Sequence, residues 1–386
     1  MSAEPMSMLR RVSAYAVLRT PDGRTALVRG SERLGLDPLW SLPGGEVQHG
    51  EHPDDAVVRE TRAQTGVAVQ VAGLRAATAD VIPLPGRNTM LHTVRFLYDV
   101  HAVGGVDWSR QLRSEPDGTS GLARAVPADE LPGTALLDFV ADALGVPGTG
   151  TAPGPEGATW PASSGVFNLG DTDGTGDDPA GPADLAGADS GPTGDPVGEP
   201  GHPRKQRVAS YAVVVDGDRI LLTRLAGDGR WTLPGGGVDF GEQPEQALHR
   251  EMYEETGLAL TGVRLLGVDS EHVTGQAPDG RTEDFHAVRV IFTGQVTAGA
   301  LPAVQEVGGS TAEAAWVPLA ELGALRLVPF ARTRLARAGV TATGASDAIG
   351  APDATDRTDT AVASDAVSRT DAVSRTDGPD HVSEAR

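Results

Sequence analysis

The chain has 386 residues, 53 acidic against 32 basic, and a formal net charge of −21. It is longer than one ordinary domain and lacks the broad basic surface that gripping a nucleic-acid backbone requires. Cysteine is absent, which excludes disulfides, thiolate metal sites and cysteine nucleophiles together. The first residues contain acid and no long apolar core, and no stretch reaches the roughly 18 consecutive apolar residues of a membrane span. A cytoplasmic protein with no membrane or nucleic-acid partner is expected.

From Val12 the run V-S-A-Y-A-V-L-R, a turn at Pro21, Asp22 and Gly23, and the run T-A-L-V-R predict two β-strands. The stretch W-S-L-P-G-G-E-V-Q-H-G-E from Trp40 follows, then a helical pattern and a β-like run H-T-V-R-F-L-Y-D-V from His92. A-V-P-A-D-E-L from Ala125 and L-L-D-F-V-A-D-A-L from Leu136 close the unit, the second as a helix. Residues 148–205 then change to Gly, Pro, Asp, Thr and Ala, with no Lys or Arg from Ala125 through Pro203. Such a segment buries too little apolar surface to offset its ordering entropy, so it reads as a disordered acidic linker, its small apolar island at Trp160 being incidental.

Beyond the linker the same order returns. V-A-S-Y-A-V-V-V from Val208 precedes a turn at Asp216 and Gly217, and W-T-L-P-G-G-G-V-D-F-G-E starts at Trp231. H-A-V-R-V-I-F-T-G from His286 and W-V-P-L-A-E-L from Trp316 complete the match. Two copies at a long period indicate tandem domains, read here as 8–147 and 206–340, with a disordered tail over 341–386. Strands mixed with two helices per copy predict an α+β fold, each sheet covered on both faces. The polar stretch from Glu271 to Asp284 reads as part of a pocket rim or, more simply, as a solvated hairpin tip, and His92 and His286 as hydrogen-bonded sheet histidines. Trp40 and Trp231 could stack on a base or pack beneath the turn.

The chemistry concentrates between Trp231 and Leu258. Pro234, Gly235, Gly236 and Gly237 form a turn where backbone can approach a ligand closely, and the following helix carries Glu251, Glu254 and Glu255 at spacings of three and four. Three carboxylates on one face repel one another, and a bound divalent cation is the natural compensation, since hard oxygen ligands suit magnesium or manganese. Leu248 and Met252 supply an apolar stripe beside that face, and Gly257 suits the left-handed conformation that ends a helix.

Gly236, Glu242, Arg250, Glu251, Met252, Glu254, Glu255, Gly257 and Leu258 fill every defined place of G-x5-E-x7-R-E-U-x-E-E-x-G-U, U being a bulky apolar residue. This stretch resembles the Nudix hydrolase signature. The resemblance implies two tandem Nudix-type α/β/α sandwich domains with mixed sheets. It also implies Mg2+, with Mn2+ as the substitute, on Glu251, Glu254 and Glu255, and a small nucleotide-type substrate cleaved at a pyrophosphate bond. Arg250 and Glu242 are implied to pair and orient the loop. Glu251 is the first candidate for the base, with Glu283, Glu306 and Glu313 as alternatives. A homodimer is compatible with this reading, and a nucleotide-sensing protein without turnover is the second one.

The first copy keeps Gly45, Glu51, Arg59, Glu60, Gly66 and Val67. Ala63 and Gln64 stand where the second has Glu254 and Glu255, and Thr61 replaces the bulky apolar residue. A folded, catalytically silent domain is expected, with the pair of Glu51 and Arg59 retained.

Overall fold

The structure is a computed structural model that describes residues 7–30, 39–84, 88–108, 112, 120–147, 204–276, 282–305, 309–341 and 344–345. In the first domain β1 (Ser7–Leu18), β2 (Thr25–Gly30), β3 (Trp40–Ser41) and β4 (Gly44–Glu46) precede helix α1 (Pro53–Thr65). Strands β5 (Val69–Pro83), β6 (Thr89–Ala102) and β7 (Ser120–Val126) then lead to helix α2 (Asp138–Leu144). The second domain repeats this with β8 (Arg204–Val213), β9 (Val215–Asp216), β10 (Arg219–Leu225), β11 (Trp231–Thr232), β12 (Gly235–Gly237) and helix α3 (Pro244–Thr256). Strands β13 (Thr261–Gln276), β14 (Thr282–Gln295) and β15 (Thr311–Pro318), helix α4 (Pro329–Arg337), and the hairpin of β16 (Val340–Thr341) with β17 (Gly344–Ala345) complete it.

Each domain holds one four-stranded mixed sheet, in the order β4, β1, β6, β5 and β12, β8, β14, β13. The central pairs, β1 with β6 and β8 with β14, are parallel and the rest antiparallel. A second antiparallel sheet is built on β2 in the first domain and on β10 in the other. Alternation along the strand divides the core. In β1, Val12, Ala14, Ala16 and Leu18 pack with Ala56 and Val57 of α1, while Val17 packs with Val140 and Ala141 of α2. In β8, Val208 and Ala212 share a cluster with Leu248 and Met252 of α3, and Tyr211 and Val213 share one with Ala331 and Leu335 of α4. The sheet is therefore covered on both faces, as the helix count predicts.

Two boundaries differ from the expectation. Strand β8 starts inside the segment read as linker, because Arg204 and Lys205 continue the parallel ladder opposite Asp284 and Phe285. The pairing of β16 and β17 carries order past residue 340. The rest of the linker and tail, including the island at Trp160, lies outside the described residues.

The two domains form one body. A single apolar cluster contains Val12, Val71 and Ala79 from the first and Val208, Leu260 and Val268 from the second. Polar contacts repeat across this junction with approximate two-fold symmetry. Arg10 Nη1 donates to the Val238 carbonyl at 3.0 Å, and at the equivalent place Gln206 Nε2 donates to the Val47 carbonyl at 3.3 Å. Of the stretch from Glu271 to Asp284, the turn at 277–281 lies outside the described residues. The described residues of the stretch extend β13 and β14, and Asp284 is only 1% exposed.

The glycine turn is fixed by crowding from β1 or β8. Gly44 and Gly235 have φ of 152° and 136°, and a Cβ on them would lie 2.3 Å from the Ala14 carbonyl oxygen and 2.1 Å from that of Ser210. Only glycine meets both demands. Gly235→Ala is expected to destabilise the protein by on the order of 2–3 kcal/mol, read from the unfolding midpoint in denaturant; a variant as stable as the parent would contradict this account.

Candidate active site

Helix α3 begins after Gln243, whose amide donates to Gln246 Oε1 at 3.0 Å, with Pro244 at the first helical position. It ends at Gly257 in the left-handed conformation, φ 69°, with the Gly257 amide bonded to the Tyr253 carbonyl. Leu248 and Met252 are fully buried, so the helix docks on β8 and β12 by that stripe and turns its acids toward the glycine loop.

Arg250 organises those acids. Its Nε and Nη2 donate to the two oxygens of Glu242 at 2.7 and 2.8 Å, and Nη2 also donates to the Gly237 carbonyl at 2.8 Å. Its Nη1 donates to Glu251 Oε1 at 2.7 Å and to Glu254 Oε2 at 3.3 Å. The predicted pair of Glu242 and Arg250 is thus a bidentate fork, the strong form of this interaction. Burial works against charge on both partners; their mutual bonds more than offset it, holding the Glu242 carboxyl below its ordinary pKa and the Arg250 guanidinium above its own.

The three helix acids do not act as equals. Glu251 lies under Gly236, where a Cβ would come within 2.5 Å of its carboxyl carbon. Glu254 is the most accessible of the three, with 32% of its side chain exposed against 17% for Glu251. Glu255 is 5% exposed; its Oε2 accepts from the Gly235 amide at 2.8 Å and its Oε1 from the Thr311 hydroxyl. It fastens the loop to the helix and to β15. Glu251 and Glu254 converge on one cationic nitrogen, so two carboxylates already share a point of positive charge, and this donor set fits a hard divalent cation.

Among the other base candidates, Glu313 is held by Arg224 at 2.8 Å on β15. Glu306 and the side chain of Glu283 lie outside the described residues. Trp231 packs in the core with Leu327 and with the Arg224 guanidinium 6.0 Å above its ring, and Trp40 lies 4.4 Å beneath Arg124. Both tryptophans are packing residues here. His92 bonds the Glu242 carbonyl at 3.1 Å, and His286 contacts Gln206 and Ser270 at 2.9 and 2.7 Å, as sheet histidines should. Burial, aided by the neighbouring positive charge of Arg10, lowers the His92 pKa to about 4, so it is neutral.

Two features escape a reading of the sequence. The first domain braces the loop between β12 and α3: Arg10 holds the Val238 carbonyl, His92 that of Glu242, and Gln243 bonds both the amide and the carbonyl of Ala79. Second, Arg207 projects over the loop, since a Cβ on Gly237 would lie 2.2 Å from its Nη2. The equivalent of Gly237 in the first copy is Glu46, 4.0 Å from Arg11. Comparing the copies at these two positions is the signal that could have exposed Arg207.

The first domain keeps the frame of the site. Arg59 forks onto Glu51 at 2.8 Å through both nitrogens and donates to the Glu46 carbonyl at 3.0 Å. Gln64 Oε1 accepts from the Gly44 amide at 3.0 Å, the contact that Glu255 makes in the second domain. Its amide nitrogen donates to the Gly44 carbonyl and to Glu60 Oε2 at 2.9 and 3.1 Å. Glutamine therefore replaces the structural half of Glu255 without its charge, and Ala63 leaves nothing in place of Glu254.

A family model described as NUDIX domain matches residues 9–143 and again residues 205–338. The chain belongs to the NUDIX family, with two tandem domains, and is a hydrolase of that type. It is 35% identical over 95 residues to the nucleoside triphosphatase NudI of Escherichia coli O139:H28, which covers 23% of this chain and 67% of that protein. It is 48% identical over 48 residues to an RNA pyrophosphohydrolase of Photobacterium profundum, covering 12% of this chain and 28% of that protein, little more than a quarter of its length. Among solved structures, a MutT NUDIX hydrolase from Burkholderia pseudomallei is 31% identical, covers 34% of this chain and 97% of its own, and gives a TM-score of 0.29. No helix among the described residues is long and apolar enough to cross a membrane.

The Glu251 carboxyl is shifted in pKa by its surroundings. Burial, reinforced by Glu254 and Asp239, outweighs Arg250 and raises its pKa from 4.5 to about 7. Between those values the folded chain holds a proton that the unfolded chain has released, so stability from this group falls as pH rises from about 4.5 through about 7. In metal-free protein Glu251→Gln is expected to be more stable than the parent at about pH 8, by on the order of 1–3 kcal/mol, and close to it near pH 4.5. Thermal unfolding at the two pH values measures this; a variant less stable at the higher pH would contradict the assignment.

Proposed function

We propose that the second domain is a magnesium-dependent pyrophosphohydrolase acting on a nucleoside diphosphate linked to a further group, such as a nucleoside triphosphate. The observation that carries this reading is the convergence of Glu251 and Glu254 on one cationic point beside the glycine loop. Glu251, Glu254 and Glu255 would hold the metal, Glu255 while still accepting from Gly235 and Thr311. When bound, it would neutralise phosphate oxygens and acidify a coordinated water. Glu251, beside the glycine loop, is the first candidate to accept the proton. The names of the relatives, a nucleoside triphosphatase and an RNA pyrophosphohydrolase, support the reaction class.

The first domain serves as a silent brace in this proposal. Its Glu60 is occupied by Arg59 and Gln64, and Ala63 supplies no ligand. Arg207, whose guanidinium overhangs Gly237 in the glycine loop, is the group this proposal assigns to the substrate's phosphates.

A nucleotide panel with Mg2+, read by phosphate release, tests both parts. Glu254→Gln with Glu255→Gln in the full chain is expected to lower turnover at least about 100-fold, with no residual activity from the first domain. An unaffected double variant would sink the mechanism. Arg207→Ala is expected to raise KM by roughly tenfold or more with a smaller change in kcat, the cost of one charge-assisted phosphate contact; an unchanged KM would remove Arg207 from the substrate site.

A further inference from the structure

At the junction of the domains, on the side opposite to Phe240, three ligating side chains meet. His49 lies on the loop after β4, and His272 and Asp284 lie on β13 and β14. Their nearest donor atoms all lie within 4.8 Å of one another, and they are the one such trio of His, Asp or Glu among the described residues. Both imidazoles aim Nε2 at the same oxygen, Asp284 Oδ1, His49 at 3.1 Å and His272 closer still. Asp284 is 2% exposed at the side chain, His49 15% and His272 24%.

The internal duplication shows what the fold alone requires at these positions. His272 faces His286 across β13 and β14 as Val81 faces His92 across β5 and β6. Asp284 and Met90 each precede that facing histidine by two residues, and His49 and Phe240 each precede the loop glutamate by two. The packing is also equivalent: a Cβ on Gly241 would touch Val81 at 3.9 Å, and one on Gly50 would meet the His272 ring at 2.9 Å. One side of the pseudo-two-fold axis is thus closed by Phe240, Val81 and Met90, and the other by two imidazoles and a buried carboxylate. Folding and domain docking do not need the polar set.

From this asymmetry we infer that His49, His272 and Asp284 form a metal site for a zinc-class divalent cation that ties the first domain to the second. Two imidazole nitrogens and one carboxylate oxygen are donors that zinc prefers and magnesium does not. Zinc bonds of about 2.0–2.1 Å put neighbouring tetrahedral ligands roughly 3.3 Å apart, close to the spacing of His49 and Asp284. Small rotations of the rings admit the ion in place of the shared hydrogen bonds. The rest of the pocket supports it. Arg204 Nε, 3.8 Å from Asp284 Oδ2, steadies the oxygen that does not face the histidines. The His286 ring packs edge-on against both ligand rings, with centroids 5.6 and 6.3 Å away. The partial exposure of the histidines leaves a fourth position to water. The site is separate from the helix acids and independent of the hydrolytic reading.

The test uses the full chain carrying Glu254→Gln and Glu255→Gln, stripped with chelator, so that the catalytic acids contribute little. Zn2+ titrated by calorimetry is expected to bind with a stoichiometry of one and to raise the unfolding temperature, and Co2+ is expected to give the visible absorption of a low-coordinate nitrogen and oxygen site. Adding His49→Phe, His272→Val and Asp284→Met, the set found on the other side of the axis, is expected to abolish the binding, the shift and the absorption. If that variant fails to fold, His49→Gln alone must weaken Zn2+ binding at least about tenfold. The inference is overturned if the parent binds no Zn2+, or if either variant, once folded, binds it as tightly as the parent.

Discussion

One guanidinium underlies the loop and helix of the second domain. A helix that presents Glu251 and Glu254 to a loop carrying Glu242 would separate from it by charge repulsion alone. Arg250 lies among all three and also holds the Gly237 carbonyl, so the same side chain neutralises the acids and sets the loop's height above the helix. Such a fork is specific because a planar, permanently charged group meets carboxylates in fixed directions. The conformation of the loop follows, since Gly235 and Gly236 must then pass against β8 and over Glu251 with no room for a side chain.

The degenerate copy separates architecture from chemistry within a single chain. It retains the arginine fork and, through Gln64, the bond from helix to loop amide, and it folds to the same topology. What it lacks is charge at the places of Glu254 and Glu255. A neutral amide satisfies a backbone donor as well as a carboxylate does, but it supplies no anion to a cation. The extra negative charge of the second copy is therefore not a requirement of the fold, and ligand chemistry is the simplest reason for it.

The junction between the domains gives the first copy a physical role. An apolar cluster runs through it, and three contacts from the first domain end on the backbone or the helix cap of the second domain's loop. The arrangement has approximate two-fold symmetry, and the two sides of the axis differ in their side chains. One side is closed by apolar side chains and the other by His49, His272 and Asp284.

The sequence by itself determined the duplication, the family signature, the fork of Glu242 and Arg250, the helix stop at Gly257 and the loss of acids in the first copy. All of these depend on neighbours a few residues apart or on one copy matching the other, so spacing and residue type suffice. Only the tertiary structure decided that Glu255 is a loop fastener, that Arg207 overhangs Gly237, and that Asp284 is buried against the first domain. In each case the deciding partner comes from a distant strand or from the other domain. Local periodicity carries no information about which loop will cover a given strand, so the stretch around Asp284 reads as a solvated turn until the domains are docked.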